Sequence, residues 1–458
     1  MKSLFKKSVS KRASAFLALA IAIIIGAASC TEKEDVMPQE GLQDLQTIEQ
    51  MLENFNEEIE FVERSEDGYK SFRKYKRVPT FRTLLIALAQ ERLLSTVIRN
   101  ELTLLAPTDA AFRELGITPW NVRKVDNLKE ILLYHVFAGE VFSFDLVPGF
   151  AETLNGAFVK VSLDGGVFFN DAEVKKADIR ALNGVVHIID KVLLPPTEDI
   201  VEKAVSFNPG EFNTLVEAVI QAELVDVLKS EGPFTVFAPT DAAFAKLGVD
   251  LSTLSKDDLT KILLYHVVPA RVFSTDLSNG FVQTAGGLFV EVDINGDPMI
   301  NNSKVIIPDV QATNGVIHAI DEVLLPPDMD IVEKAISFNP DQFNTLVAAV
   351  VEAGLVDALK GDGPFTVFSP TDEAFAAIGV TPENVGDVDN LADILLYHVV
   401  SGTFFSTDLS EGEVPTLNGK NVEITLDSGV MVNMSNVIIA NVQTTNGVIH
   451  VIDKVLLP

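Results

Sequence analysis

All six histidines of this 458-residue chain fall at two equivalent positions in three successive copies of one pattern. His135, His266 and His398 each follow a tyrosine, Tyr134, Tyr265 and Tyr397. His187, His318 and His450 each close an Asn-Gly-Val-x-His run. An aspartate keeps the same register: Asp109, Asp241 and Asp372 each end a Pro-Thr-Asp triplet. A carboxylate beside an imidazole is the base-and-orienter part of a catalytic site. The Asp and the Tyr-His histidine of each copy are therefore expected to hydrogen-bond as structural pair partners. A nearby anion would hold such a histidine above its usual pKa of about 6.5. What is missing is a nucleophile. The copies contain no cysteine and no Gly-x-Ser-x-Gly elbow, and Thr108, Thr240 and Thr371 stand where helix caps belong. No catalytic residue is assigned, and the histidines are read as partly buried, hydrogen-bonded structural groups.

Metal chemistry finds no better footing. Neither histidine position has a second His or Cys at ligand spacing. Asp293-Ile294-Asn295-Gly296-Asp297 resembles half a calcium loop, but it lacks the closing Glu and recurs in neither other copy. It is read as a hairpin turn, and no metal or cofactor is expected.

The elements that must position these residues repeat with them. The Pro-Thr-Asp triplets begin at Pro107, Pro239 and Pro370, steps of 132 and 131 residues, which is the size of a domain. Each copy is organised around a stretch such as Gly232–Phe244 (GPFTVFAPTDAAF), repeated as Gly363–Phe375 and less closely as Glu101–Phe112. Thr235-Val236-Phe237 reads as a buried strand ended by Pro239. Thr240 or Asp241 then caps a helix running Ala242–Leu247 and stopping at Gly248. Helices are expected from Phe212 to about Lys229 and over Asp258–His266. Strands are expected over Phe281–Asp293, Val305–Val310 and Val316–Leu325, with Asn295-Gly296 as a turn. Helices lead and strands follow, an α+β arrangement. Thr47-Ile48-Glu49-Gln50 is the counterpart of Asp199-Ile200-Val201-Glu202. The first domain then carries an insert before Phe81, the partner of Phe212 and Phe343.

The domains are placed at 47–195, 198–326 and 329–458. They are joined by Pro195-Pro196-Thr197-Glu198 and Pro326-Pro327-Asp328-Met329, short proline linkers that imply an elongated, semi-rigid rod. The insert contains Lys70, Arg73, Lys74, Lys76 and Arg77 interleaved with Tyr69, Phe72 and Tyr75. This run reads as a charged surface hairpin, or alternatively as a patch for anionic glycan or phospholipid headgroups.

Residues 1–29 form a targeting segment: Lys2, Lys6, Lys7, Lys11 and Arg12, then an apolar run Ala15–Ala28 too short to span a bilayer comfortably. The following Ala27-Ala28-Ser29-Cys30 resembles a bacterial lipoprotein cleavage box, with Ala27 where Leu is usual. Cys30 is the chain's one cysteine, and lipidation would give a firm membrane anchor. The alternative is an ordinary secretory signal with an unrelated cysteine. Residues 30–46 form an acidic tether whose Lys33-Glu34-Asp35 resembles the signals that route Bacteroidetes lipoproteins to the outer face of the outer membrane. The formal net charge is −30 and the signal segment holds no acid, so nucleic acid and anionic membrane are poor partners for the body of the molecule.

The strand TVFAPTDAAF, the Tyr-His pair and the closing NGVIHAIDEVLLP, in this order in each copy, resemble the fasciclin or FAS1 domain. The resemblance covers about Thr47–Pro458. It implies three tandem domains, each a twisted β-sandwich or wedge with a helical cluster on one side. It also implies an extracellular or surface-attached adhesion module without a common catalytic mechanism or cofactor. Adhesive peptides of animal members overlap the Tyr-His region, which maps onto Tyr134, His135, Tyr265, His266, Tyr397 and His398. The function expected is a non-enzymatic surface lipoprotein using tandem modules for multivalent contact with a protein or glycan ligand. The alternative is a structural spacer or subunit of an outer-membrane envelope complex with no ligand of its own.

Overall fold

Why Asn-Gly-Val-x-His recurs is answered by the pairing of two central strands. In the second domain Phe234–Pro239 lies parallel to Gly315–Ile320, with Phe234 opposite Gly315 and Phe237 opposite His318. A Cβ at Gly315 would sit 2.2 Å from the Phe234 carbonyl oxygen, and at Gly184 or Gly447 it would sit 1.8 or 2.0 Å from that of Leu102 or Phe365. No other residue admits that approach. The preceding Asn314 is buried and fully used. Its Oδ1 accepts from Ile200 N–H at 2.9 Å, and its Nδ2 donates to the Leu228 and Ser230 carbonyls at 2.7 and 2.8 Å. Asn446 does the same with Ile331, Leu359 and Gly361. Asn183 accepts from Ile48 N–H, which places Thr47-Ile48 in the first domain where Asp199-Ile200 stands in the second.

The computed structural model describes residues 46–57, 80–94, 96, 100–207, 211–248, 253–338, 342–427 and 429–458. Cys30, the signal segment, nearly all of the acidic tether and the basic run Lys70, Arg73, Lys74, Lys76 and Arg77 lie outside the described residues. No helix among the described residues is long and apolar enough to cross a membrane.

Each domain holds one seven-stranded sheet. In the second its order is Gly280–Gln283, Phe289–Asp293, Met299–Ile300, Ser303–Ala312, Gly315–Ile320, Phe234–Pro239, Val267–Val268. Only the Phe234–Pro239/Gly315–Ile320 pair is parallel. The long strand Ser303–Ala312 is interrupted by two register shifts, and bulges of this kind bend a strand. The central strands are buried on both faces, which is why they read as continuous apolar runs. Val236, Ala238, Ile317 and Ala319 face a helical core with Leu215, Val219 and Leu263. Phe237 and Ile320 face a second core with Tyr265, Val290, Val292 and Ile300.

Three elements differ from expectation. The strand expected over Phe281–Asp293 is two antiparallel strands, Gly280–Gln283 and Phe289–Asp293, with a turn between them. The helix expected from Phe212 to Lys229 is two, Asn213–Gln221 and Val225–Leu228, broken at Glu223, whose φ is +58°. The closing strand ends at Ile320, because Leu324 is claimed by a histidine, as described next.

Candidate functional site

The Tyr-His pair sits at the end of the helix Lys256–Tyr265, and both side chains turn inward. His266 Nδ1 donates to the Ile262 carbonyl at 2.8 Å, and its Nε2 accepts from Leu324 N–H at 2.9 Å. His135 bridges Ile131 and Leu193, and His398 bridges Ile394 and Leu456, in the same way. The ring is thus a clamp between a helix end and the closing Leu-Leu-Pro segment. Burial pushes all three histidines down to about 4, against the lesser upward pull of the Ile131, Ile262 or Ile394 carbonyl. The expectation of a raised pKa is overturned.

The expected pairing with Asp109, Asp241 and Asp372 is overturned with it. Both ring nitrogens are already satisfied by backbone, so no donor is left for a carboxylate. The aspartates instead complete a neighbouring helix. Asp241 Oδ1 accepts from Thr214 N–H at 2.8 Å, and Asp372 accepts from Thr345 and Asn344 N–H at 2.7 and 3.1 Å. Asp109 takes Thr83 and Arg82 N–H. Phe81, Phe212 and Phe343, the N-cap residues of these helices, provide no side-chain bond, so the aspartate satisfies otherwise orphaned donors. Burial tends to raise the Asp109 pKa, but hydrogen bonds from Thr80, Thr83 and Arg82 leave it lowered. Thr108, Thr240 and Thr371 cap their own helices.

Tyr134, Tyr265 and Tyr397 are buried. Tyr265 Oη donates to the Phe289 carbonyl at 2.7 Å and accepts from Asn301 Nδ2 at 3.1 Å. Tyr134 reaches Phe158 and Asn170, and Tyr397 reaches Asn421 and Asn433. All six Tyr-His side chains are buried and bonded within their domain, so a contact made at the surface of this region is made by its neighbours.

The second histidine of each domain holds a different segment. His318 Nε2 donates to the Val272 carbonyl at 2.9 Å, and its Nδ1 faces Asp309 N–H at 3.3 Å. Asp309, at φ +63°, accepts from Ser274 N–H and Oγ at 2.7 and 2.5 Å. Thr235 Oγ1 donates to the Ala270 carbonyl and accepts from Val272 N–H. All these bonds fix the backbone on either side of Phe273. His187 with Asp178 and Ser143 holds Phe142 in the same way, and His450 with Asn441 and Ser406 holds Phe405.

Phe273 does not point into its own domain. It stacks on Phe150 of the first domain at 3.8 Å between centroids, with planes 7° apart, and meets Phe158 at 5.2 Å. Phe405 of the third domain stacks on Phe281 of the second at 3.7 Å and 7°, and meets Phe289 at 5.1 Å. Thr275 and Thr407 approach Gly149 and Gly280 closely enough that an added Cβ would lie 3.6 and 3.7 Å from their Oγ1 atoms. One joint is therefore built twice. Tyr134 and Tyr265 pin the receiving Phe158 and Phe289, while His318 and His450 pin the inserted ring.

Residues 79–195, 210–326 and 341–458 each match the fasciclin domain family. The chain belongs to the fasciclin family. Human periostin is 29% identical over 428 residues, covering 90% of this chain and 48% of periostin. Pig transforming growth factor-beta-induced protein ig-h3 is 30% identical over 396 residues, 83% of this chain and 56% of that protein. The chain thus spans about half the length of these two relatives. Protein sll1483 of Synechocystis is 48% identical over 122 residues, 25% of this chain and 68% of that protein.

The second and third fasciclin domains also leave aliphatic side chains exposed on their helical clusters. In the second domain Val205, Ile220 and Val227 rim an apolar cavity of about 190 Å³ whose floor includes Leu263, Leu264 and His266. Ile336 and Val351 are exposed at the corresponding positions of the third. Among the described residues no group of three or more His, Cys, Asp or Glu is arranged to hold a metal. Sequence reading missed the aromatic joint and the Asp/Asn and Ser that support it. The signal was present, since Phe142, Phe273 and Phe405 keep the same step as the histidines.

Proposed function

We propose that this fasciclin-family protein is a non-enzymatic adhesion or ligand-binding protein of the cell surface, presenting three domains for multivalent contact. The carrying observation is that the recurrent Tyr, His and Asp side chains are spent on backbone hydrogen bonds inside each domain. What repeats is scaffold, and the groove above the Tyr-His helix, rimmed by Val205, Ile220 and Val227, is the face offered to a protein or glycan ligand. Three weak sites on one chain gain avidity without new contacts.

In this reading residues 1–29 are removed on export, Cys30 is lipidated, and 30–46 tether the domains 47–195, 198–326 and 329–458 to the outer membrane, facing outward. Lys70, Arg73, Lys74, Lys76 and Arg77 supply a patch for anionic glycan or headgroups. The test is a pull-down with the chain from residue 31 onward against matrix proteins and glycan arrays. Weak binding that strengthens with surface density of the chain, and that falls on Val205→Asp/Ile220→Asp, supports the reading. Binding indifferent to both counts against it.

The twice-built joint favours a second reading, a spacer within an envelope complex. Co-purification with one envelope protein in fixed ratio, without ligand binding, would select it.

A further inference from the structure

We infer that the outer faces of the first and third domains are terminators of the aromatic joint, so that these three domains stack on one another but not on those of a second molecule. A joint repeated with the same partners, distances and plane angles is head-to-tail, and a head-to-tail contact that does not close on itself propagates without limit unless its ends are blocked. Repeat proteins meet the same problem with altered terminal repeats. Here the third domain has the fold to receive another ring, yet the receiving positions are changed. Glu413 stands where Phe150 and Phe281 stand, and Asn421 where Phe158 and Phe289 stand. Asn421 Nδ2 donates to Glu413 at 2.8 Å, so an arriving phenylalanine would meet a carboxylate already hydrogen-bonded, and would bury it.

The first domain closes the opposite end by a different device. Its ring is Phe142, and the next position but one is Phe144, where Thr275 and Thr407 stand in the docked domains. Phe144 stacks on Phe142 at 5.3 Å and 5°, and the Arg180 guanidinium lies 4.8 Å from the Phe142 centroid. Gln311 and Gln443 replace Arg180 in the docked domains. Phe144 thus stacks on the Phe142 ring as Phe150 and Phe281 stack on Phe273 and Phe405. Phe144 itself is 75% exposed, against 2% for Phe273 and 1% for Phe405. It also carries a bulk that the close approach of Thr275 to Gly149 would not admit.

The test uses two variants of the chain from residue 31 onward, each opened at one end. Glu413→Phe/Asn421→Phe opens the receiving face, and Phe144→Thr/Arg180→Gln opens the inserting face. By sedimentation velocity, wild type and each variant alone should show no head-to-tail association. An equimolar mixture should give a 1:1 complex of twice the monomer mass, lost when Phe142→Ala is added to the second variant. Thermal melts matching wild type establish that each variant is folded. Should either variant melt abnormally, the milder Asn421→Phe and Phe144→Thr replace it in the same mixture. A mixture that stays monomeric overturns the proposal. So does a complex that survives Phe142→Ala, or wild type that already associates through Phe142.

Discussion

The imidazole of His266 accepts the Leu324 amide at 2.9 Å, and that bond requires a neutral ring. Protonation would set two N–H groups against each other in a buried place. With the folded pKa at about 4 and an unfolded value near 6.5, the unfolded chain binds the extra proton between those limits. The clamp's contribution is complete above pH 6.5 and is lost as pH falls through about 4, on the order of 3 kcal/mol per domain. Urea denaturation at pH 7.5 and 4.5 should show that loss, and His266→Gln should reduce it in the second domain, leaving the part due to His318, which burial also holds below its usual value. An unchanged midpoint in wild type across this window would refute the clamp.

Asp241 and His266 belong to separate networks, so their losses should add. Asp241→Ala removes the cap of Asn213–Gln221 and should cost about 1–2 kcal/mol. Combined with His266→Ala, the coupling in a double-mutant cycle should stay within about 0.5 kcal/mol. A larger coupling would revive a direct Asp–His interaction.

Gly315→Ala places a methyl against the backbone of Phe234, which cannot swing aside as a side chain could. A loss of about 2–4 kcal/mol in the second domain is expected, read from calorimetry that resolves the three domains. Gly296→Ala, with open space around it, is the control and should change little.

Phe405→Ala should loosen the joint between the second and third domains while leaving both folded. The ring's burial is worth about 1.5–3 kcal/mol. X-ray scattering should show a broader distribution of interdomain distances, with melting temperatures near wild type. Identical scattering curves would show that the proline linker alone sets the geometry.

Cys30→Ser should release the protein from the membrane fraction or leave its leader uncleaved. Wild type lacking acyl modification by mass spectrometry, together with a mutant that fractionates normally, would end the lipoprotein proposal.

The repeated elements were legible because each rests on a local rule. Pro239 ends a strand, Thr240 caps a helix and Gly248 stops it, while the alternation read over Phe281–Asp293 marked sheet residues but not the turn that divides them. The partners of polar side chains were not legible in the same way. A buried aspartate and a buried histidine in one domain look like a pair, yet each had a backbone group nearer to hand, and backbone donors leave no trace in side-chain identity. The joint was hidden for another reason. Phe273 reads as one more core aromatic until the neighbouring domain is placed against it, and the exchange of Phe281 and Phe289 for Glu413 and Asn421 in the third domain is what separates contact from core.

The path of the chain through each domain has a mechanical consequence. The chain comes in beside Asn314, where Thr313 N–H donates to the Glu198 carbonyl, and goes out past Ile320 through Leu324. Arrival and departure therefore flank one six-residue strand, Gly315–Ile320, about 20 Å long at the usual rise per residue. Tension applied between a domain's entry and its exit runs along that strand, which is bonded on both sides. Its hydrogen bonds are loaded in shear, all at once, rather than peeled one by one. A pulling experiment should accordingly find each domain yielding in a single abrupt step.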